Sequence, residues 1–168
     1  MSHSKNKVEW CLKKAEKEFE DGRHKGLVKL APDMKKARQH IAKAEHNLKF
    51  MTTLKDKEFS DWCGSAAFYS IYHSLLAILA KFGYESRNQE CTFALVSSMA
   101  EDGIISLDSS VLDSIAEMND THAERETITE IREQYQYGTK LSIDDKIYEE
   151  LLNNAKRILE ESKSIIEE

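Results

Sequence analysis

Tyr69 and His73 stand four residues apart in SAAFYSIYHSLLAILAKFGYESRNQECTFALV, residues 65–96, and share one face of any helix that forms there. An imidazole at that place serves as a proton donor or acceptor, with its pKa set by burial and neighbours. The same spacing also suits a core histidine whose ring nitrogens bond to adjoining helices. A second group is cationic. Arg125 and Arg132 lie two helical turns apart, with Thr129 between them and His122 one turn before Arg125. If one helix continues the apolar seam of Val111, Ile115 and Met118, that seam runs on into His122, Arg125, Thr129 and Arg132. Its core face then turns cationic, which suits phosphate or nucleotide binding. If instead Thr121-x-x-Glu124 acts as a capping box, the phase resets. The core face is then Ile128, Ile131 and Tyr135, and both arginines pair with acids at the surface. A third group is Arg87-Asn88-Gln89-Glu90, in which Arg87 and Gln89 face a cleft or Asn88 simply caps a helix.

Other chemistry is missing. The phosphate-cradling patterns GxGxxG and GxxxxGK[ST] do not occur, nor does HExxH. The histidines are His3, His24, His40, His46, His73 and His122, and His40 and His46 fall on different faces of one helix. No metal or cofactor is expected. Cys11, Cys63 and Cys91 are odd in number and lack CxxC spacing, so reduced cysteines and a cytoplasmic location are the expectation. No apolar run approaches the roughly 18 residues of a membrane span, and MSHSKNKVEW lacks the apolar stretch of a signal peptide, so no membrane partner is expected.

The elements that must position these groups are helical. A single proline and six glycines leave little turn chemistry in 168 residues, and strand-like alternation is hard to find. The periodicity predicts helices over about 5–21, from Pro32-Asp33 through Met51, and over about 58–82, 88–101 and 143–165, with a further helical region, about 108–137, that breaks or restarts near 119–127. Gly22–Gly26 breaks the first, and LVKLAP reads as a connector. In the second, Met34, Ala37, Ile41, Ala44, Leu48 and Met51 recur at bundle spacing behind Asp33 as the cap. The third carries two apolar stripes and ends at Gly83, so it is the central helix. The fold expected is all-α: an up-and-down antiparallel bundle of about five core helices, residues 33–168, with an extra N-terminal helix and connector, residues 1–32. Charge is uneven. Residues 1–57 hold 15 Lys+Arg against 8 Asp+Glu, and the remainder 9 against 22. This is either ordinary solvated helix surface or a basic face for a polyanion or another subunit's acidic surface.

The pattern W62-x3-A66-A67-x-Y69-x2-Y72-H73-x-L75-L76-A77, then G83 and R87-N88-Q89, resembles the HEPN domain (higher eukaryotes and prokaryotes nucleotide-binding). R132-x4-Y137-G138 fits the same family, in its stand-alone prokaryotic and archaeal branch, over roughly 33–165. The resemblance implies an up-and-down bundle that forms homodimers and works beside a small nucleotidyltransferase in toxin–antitoxin pairs. Active members are metal-independent ribonucleases carrying R-x4-6-H, in which His is the acid or base and Arg steadies the phosphate. Here Arg132 matches the family arginine, but Tyr137, Gly138 and Thr139 occupy the positions where the histidine would stand. Gln89 stands where many relatives have His after the third helix, and His122 precedes both arginines. Tyr137 corresponds to a tyrosine common in this branch.

The expectation is therefore a non-catalytic or regulatory HEPN-like dimer that binds a nucleotide, RNA or a nucleotidyltransferase partner. Its ligand residues are expected among Arg87, Gln89, Arg125, Arg132 and Tyr137. The alternatives are a metal-independent ribonuclease using Arg132 with His73 or His122, and a helical interaction module with no ligand.

Overall fold

The computed structural model describes residues 2–22, 26–115 and 126–168. Seven α-helices and one two-stranded sheet make up the described residues. The bundle is all-α in class, as the periodicity requires. Met118 and the Thr121–Glu124 capping box lie outside the described residues.

Helix α1, His3–Glu20, is capped by Ser2, whose side chain accepts the Lys5 N–H. Helix α2, Met34–Leu54, starts under Asp33, whose carboxylate accepts the Lys36 N–H at 2.8 Å. Its seam buries Ala37, Ile41, Ala44 and Met51. A short 3-10 turn, Ser60–Trp62, leads into α3, Cys63–Lys81. Most of α3 is buried, including Phe68, Ile71, Leu75, Ile78 and Leu79, all fully. That matches a helix with two apolar stripes. Ser60–Lys81 is long and apolar enough to cross a membrane by length and composition, contrary to the first impression of its sequence, and 72% of its apolar window is buried within the bundle.

Three contacts fix how α2 meets α3. Cys63 Sγ reaches the Met51 carbonyl, Ser70 Oγ donates to the Ala44 carbonyl, and His73 meets His40. As one helix advances the other retreats, so the pair is antiparallel. Ala37, Ala44, Ala77 and Ala80 line this seam and let the helices lie close.

Two short strands modify the expected picture. The connector LVKLAP contains β1, Leu27–Lys29, which pairs antiparallel with β2, Tyr84–Ser86. Three-residue strands leave no alternation to read in a sequence. Gly83 makes the return possible. Its φ is +78°, and a Cβ there would sit 2.6 Å from the Leu30 carbonyl oxygen. Leu30 N–H donates to the Gly83 carbonyl at 2.7 Å, and Asp33 N–H to the Ala80 carbonyl at 2.9 Å.

Helix α4, Gln89–Glu101, begins under Asn88, whose side chain accepts the Cys91 N–H at 2.9 Å. The capping role offered for Asn88 is the one it has. Helix α5 spans Ser109–Ile115, α6 Ile128–Tyr137 and α7 Asp145–Glu167. Thr127 and Glu130 form a complete capping box at the start of α6. Asp144 caps α7, which buries Leu151, Ala155, Ile158, Leu159 and Ile165 against α3 and α2.

The cysteines correct an expectation. Cys11 of α1 and Cys91 of α4 form a disulfide across 80 residues, leaving Cys63 as the free, buried thiol. An odd count allows one pair and one remainder, and spacing along the chain cannot reveal a pair that only the fold brings together. Much of the charge asymmetry is satisfied within the chain: Lys5 pairs with Asp102, Lys7 with Glu90, Arg38 with Glu167 and Lys55 with Glu149.

Candidate functional site

Helix α6 restarts at Thr127, and that restart decides which way its residues face. Ile128, Ile131 and Tyr135 are buried, as in the reading where a cap resets the phase. Arg132 is buried with them, at 8% exposure, and does not lie at the surface as that reading supposed. The reason is packing. Helix α6 crosses the first turn of α3 at Gly64, where an added Cβ would lie 3.6 Å from the Arg132 Cα. So close an approach delivers the arginine side chain one turn further along α3, to Phe68.

The guanidinium carbon of Arg132 sits 4.3 Å from the centre of the Phe68 ring. Guanidinium planes stack well on aromatic faces, and the attraction grows when water is excluded. Arg132 Nη2 donates to Glu133 Oε1 at 3.0 Å. Its Nε is buried and has no hydrogen-bond partner among the described residues. A buried, unpaired N–H carries a desolvation cost of about 1–3 kcal/mol, more when the group is charged. An anion at that edge would remove the cost.

Phe68 rests in an aromatic cluster. Tyr72 stacks on it at 6.0 Å, Tyr69 meets it edge-on at 5.4 Å and Phe93 edge-on at 6.4 Å. Tyr72 is half-buried, and its hydroxyl lies 3.4 Å from Thr92 Oγ1. Burial raises its pKa above the ordinary value, partly offset by that hydroxyl contact. Tyr69 and Trp62 remain exposed along the outer edge of α3.

The other candidates are placed as follows. Arg87 follows β2 and pairs with Glu85, Nη2 to Oε1 at 3.2 Å. Gln89 is the first residue of α4 and half-buried. One turn on, Phe93 meets the Phe68 ring that Arg132 covers. Tyr137 ends α6, is 75% exposed, and lies five residues past Arg132, roughly 140° around the helix. His122 and Arg125 lie outside the described residues.

His73 has a partner that its own helix could not reveal. Its Nδ1 is 3.0 Å from Nδ1 of His40 on α2. Burial, then the facing His73, then Lys36 push the His40 pKa down to about 4, with Glu85 opposing. Burial and then Lys43 lower that of His73. Beside His40 is a cavity of about 140 Å³, whose lining includes Asp33, Lys36, Tyr84 and Glu85. The sequence places His40 and His46 on different faces of one helix, and the partner of His40 comes instead from α3. No group of three or more His, Cys, Asp or Glu gathers as a metal cage among the described residues.

Two comparisons bear on these observations. A search of curated proteins finds no match to the chain. The family model for the HEPN domain matches residues 37–165, from the first turn of α2 to the last turn of α7, with the Phe68 cluster and Arg132 between them. With well over half of its length matched, the chain belongs to the HEPN domain family.

Proposed function

We propose that this HEPN protein is a regulatory, non-catalytic homodimer that binds the phosphate of a nucleotide or of an RNA strand at Arg132, and that it works with a nucleotidyltransferase partner. The observation that carries the reading is the Arg132 guanidinium, its carbon 4.3 Å over the Phe68 ring, with a buried Nε lacking a partner among the described residues. The aromatic contact anchors the guanidinium, and its N–H edge can select a planar or tetrahedral oxyanion. Glu133, with its side chain about half exposed, accepts from Nη2 of that fork. A phosphate would displace it.

The catalytic part of the family's chemistry lacks its proton carrier. Residues 137–139 are Tyr, Gly and Thr, none of which shuttles protons near neutral pH as histidine does. The aromatic edge of α3 formed by Trp62 and Tyr69, exposed in a single chain, supports a dimer as the working unit.

The test is calorimetry with mononucleotides and a short single-stranded RNA at low and high salt, beside a metal-free cleavage assay. Binding that weakens with salt and is lost in Arg132→Ala is expected, with no cleavage. Cleavage of RNA abolished by Arg132→Ala would overturn the non-catalytic reading. Absence of binding at low salt would leave a partner-binding module with no ligand.

A further inference from the structure

Helix α1 precedes the family-matched stretch, and its hold on the bundle is thin. Ser4, Cys11 and Ala15 are its buried residues, Val8 and Leu12 pack partly against the core, and Trp10 and Phe19 are exposed. Its contacts run antiparallel along α4. Cys11 is bonded to Cys91, and one turn back Lys7 Nζ donates to Glu90 Oε2 at 2.7 Å. At the other end Ser4 Oγ donates to Glu101 Oε1 at 2.8 Å, beside the Lys5–Asp102 pair. Positions 94, 95 and 98 share the face of α4 that runs from 91 to 101 and 102. Ala94, Leu95 and Ser98, all buried, are therefore the seam beneath α1.

The noncovalent links along that seam are weak. The side chains of Lys5, Lys7, Glu90 and Asp102 are 33–74% exposed, and ion pairs so wet contribute little. One alanine and two partly buried aliphatic side chains hide little apolar surface. A helix in a protein owes most of its stability to the packing of one face, so the covalent bond carries much of the docking of α1. The rest of the bundle has its own supports. Phe93, on the other side of α4, meets Phe68 and Tyr72, and Thr92 Oγ1 donates to Ser86 Oγ at 2.8 Å.

We propose that the Cys11–Cys91 disulfide is a redox latch: its reduction releases α1 from α4 and uncovers the seam of Ala94, Leu95 and Ser98, while the remaining helices stay folded. The reductant is a dithiol. One of its thiolates attacks a sulfur of the bond, forms a mixed disulfide and expels the other protein sulfur as a thiolate, which takes up a proton. Its second thiol then displaces the remaining protein sulfur and closes the reductant's own disulfide. Two electrons and two protons pass to the protein, and Cys11 and Cys91 become thiols. Cys11 is 1% exposed and Cys91 3%, so the reagent reaches them only when α1 lifts, and that opening sets the rate. Cys63 stands apart from the exchange, buried on α3, where burial and then Asp61 push its thiol up to about 11. The Arg132 reading is not involved, since α1 touches none of the residues that support it.

The experiment uses the full chain purified without reductant, before and after treatment with dithiothreitol. Alkylation in denaturant followed by intact mass counts the thiols, with one expected before reduction and three after it. Hydrogen exchange read by mass spectrometry then locates the change. Amides of residues 3–20 should exchange at least about tenfold faster in the reduced chain, and those of α2, α3 and α7 should stay within about twofold. The double variant Cys11→Ser, Cys91→Ser should match the reduced wild type and ignore the reductant. Unchanged protection of α1 after full reduction would overturn the proposal, because packing alone would then hold the helix. Loss of protection spread through α2 to α7, in the reduced chain or in the variant, would overturn it too and make the bond a staple of the whole fold. So would three free thiols in chain that had been treated with an oxidant.

Discussion

The Arg132 guanidinium lies 4.3 Å over the Phe68 ring, so a cation on α6 is held in place by an aromatic face on α3. Its shape, and not only its charge, should therefore matter. Arg132→Lys keeps the charge but replaces a planar fork by a compact ammonium. Nucleotide or RNA binding is expected to fall in Arg132→Lys by at least half as many decades as in Arg132→Ala. Calorimetry on both variants decides this, and wild-type affinity in the lysine variant would show that charge alone suffices.

Glu133 competes with any incoming anion, since its carboxylate already accepts from Arg132 Nη2 at 3.0 Å. Glu133→Gln removes the negative charge and keeps an acceptor of similar shape. Anion affinity should rise severalfold, with the largest gain at low salt. The thermal midpoint should change little. A fall in affinity would mean that Glu133 orients the ligand or the guanidinium.

The histidine pair gives the fold a definite response to acid. The His40 pKa is lowered from its ordinary 6.5 to about 4, and that of His73 is lowered too. The unfolded chain therefore binds more protons than the folded one through that interval, and folding stability falls as pH drops. This contribution is complete above about pH 6.5 and is lost progressively toward pH 4. Urea midpoints measured between pH 7.5 and 4.5 should show a smaller decline for His40→Gln than for the wild type. Equal declines would assign the acid sensitivity to other groups.

Leu76 is 8% exposed, on the turn of α3 that also lines the cavity beside His40. Leu76→Ala is expected to cost about 2–5 kcal/mol, from lost burial and an enlarged void. Denaturant unfolding measures it, and a cost under about 0.5 kcal/mol would contradict the packing described.

Gly83 answers to two constraints at once, a φ of +78° and a 2.6 Å approach to the Leu30 carbonyl. Gly83→Ala is expected to destabilise more than an ordinary glycine replacement at positive φ, because relieving the contact must also shift β1. Hydrogen exchange at the Leu30 amide, which donates to the Gly83 carbonyl, should accelerate in the variant. Unchanged exchange would show that the turn adapts without opening the sheet.

The helices were legible because burial imposes a period on the chain. Ala37, Ile41, Ala44 and Met51 mark the α2 seam, and Asp33, Asn88 and Asp144 announce helix starts with side chains suited to the first free N–H groups. Gly83 marked the end of α3 for a local reason, and the family resemblance rested on that same helix. What stayed hidden depends on distant partners. Cys11 finds Cys91, His73 finds His40, and Leu27 pairs with Ser86 only after the fold brings them together. Arg132 was recognisable as a candidate cation, and one of two helix phases put it on the core face, but not together with Ile128, Ile131 and Tyr135. That burial follows from a restart at Thr127 combined with a close crossing at Gly64, and neither fact alone specifies it.

The Cys11–Cys91 bond makes the first half of the molecule a covalent ring. Threaded on that ring are β1, α2, α3 and β2, so the hairpin that carries His40, His73 and Phe68 lies between its two anchor points. One anchor, Cys91, falls within the family-matched stretch 37–165, and the other, Cys11, precedes it. The closure is therefore borrowed from outside the domain. A backbone cut between α1 and α2 would yield two peptides that migrate together until a reductant separates them. The same cut would leave the helices of the matched stretch continuous, so this link depends on the N-terminal helix and is lost when that helix is removed.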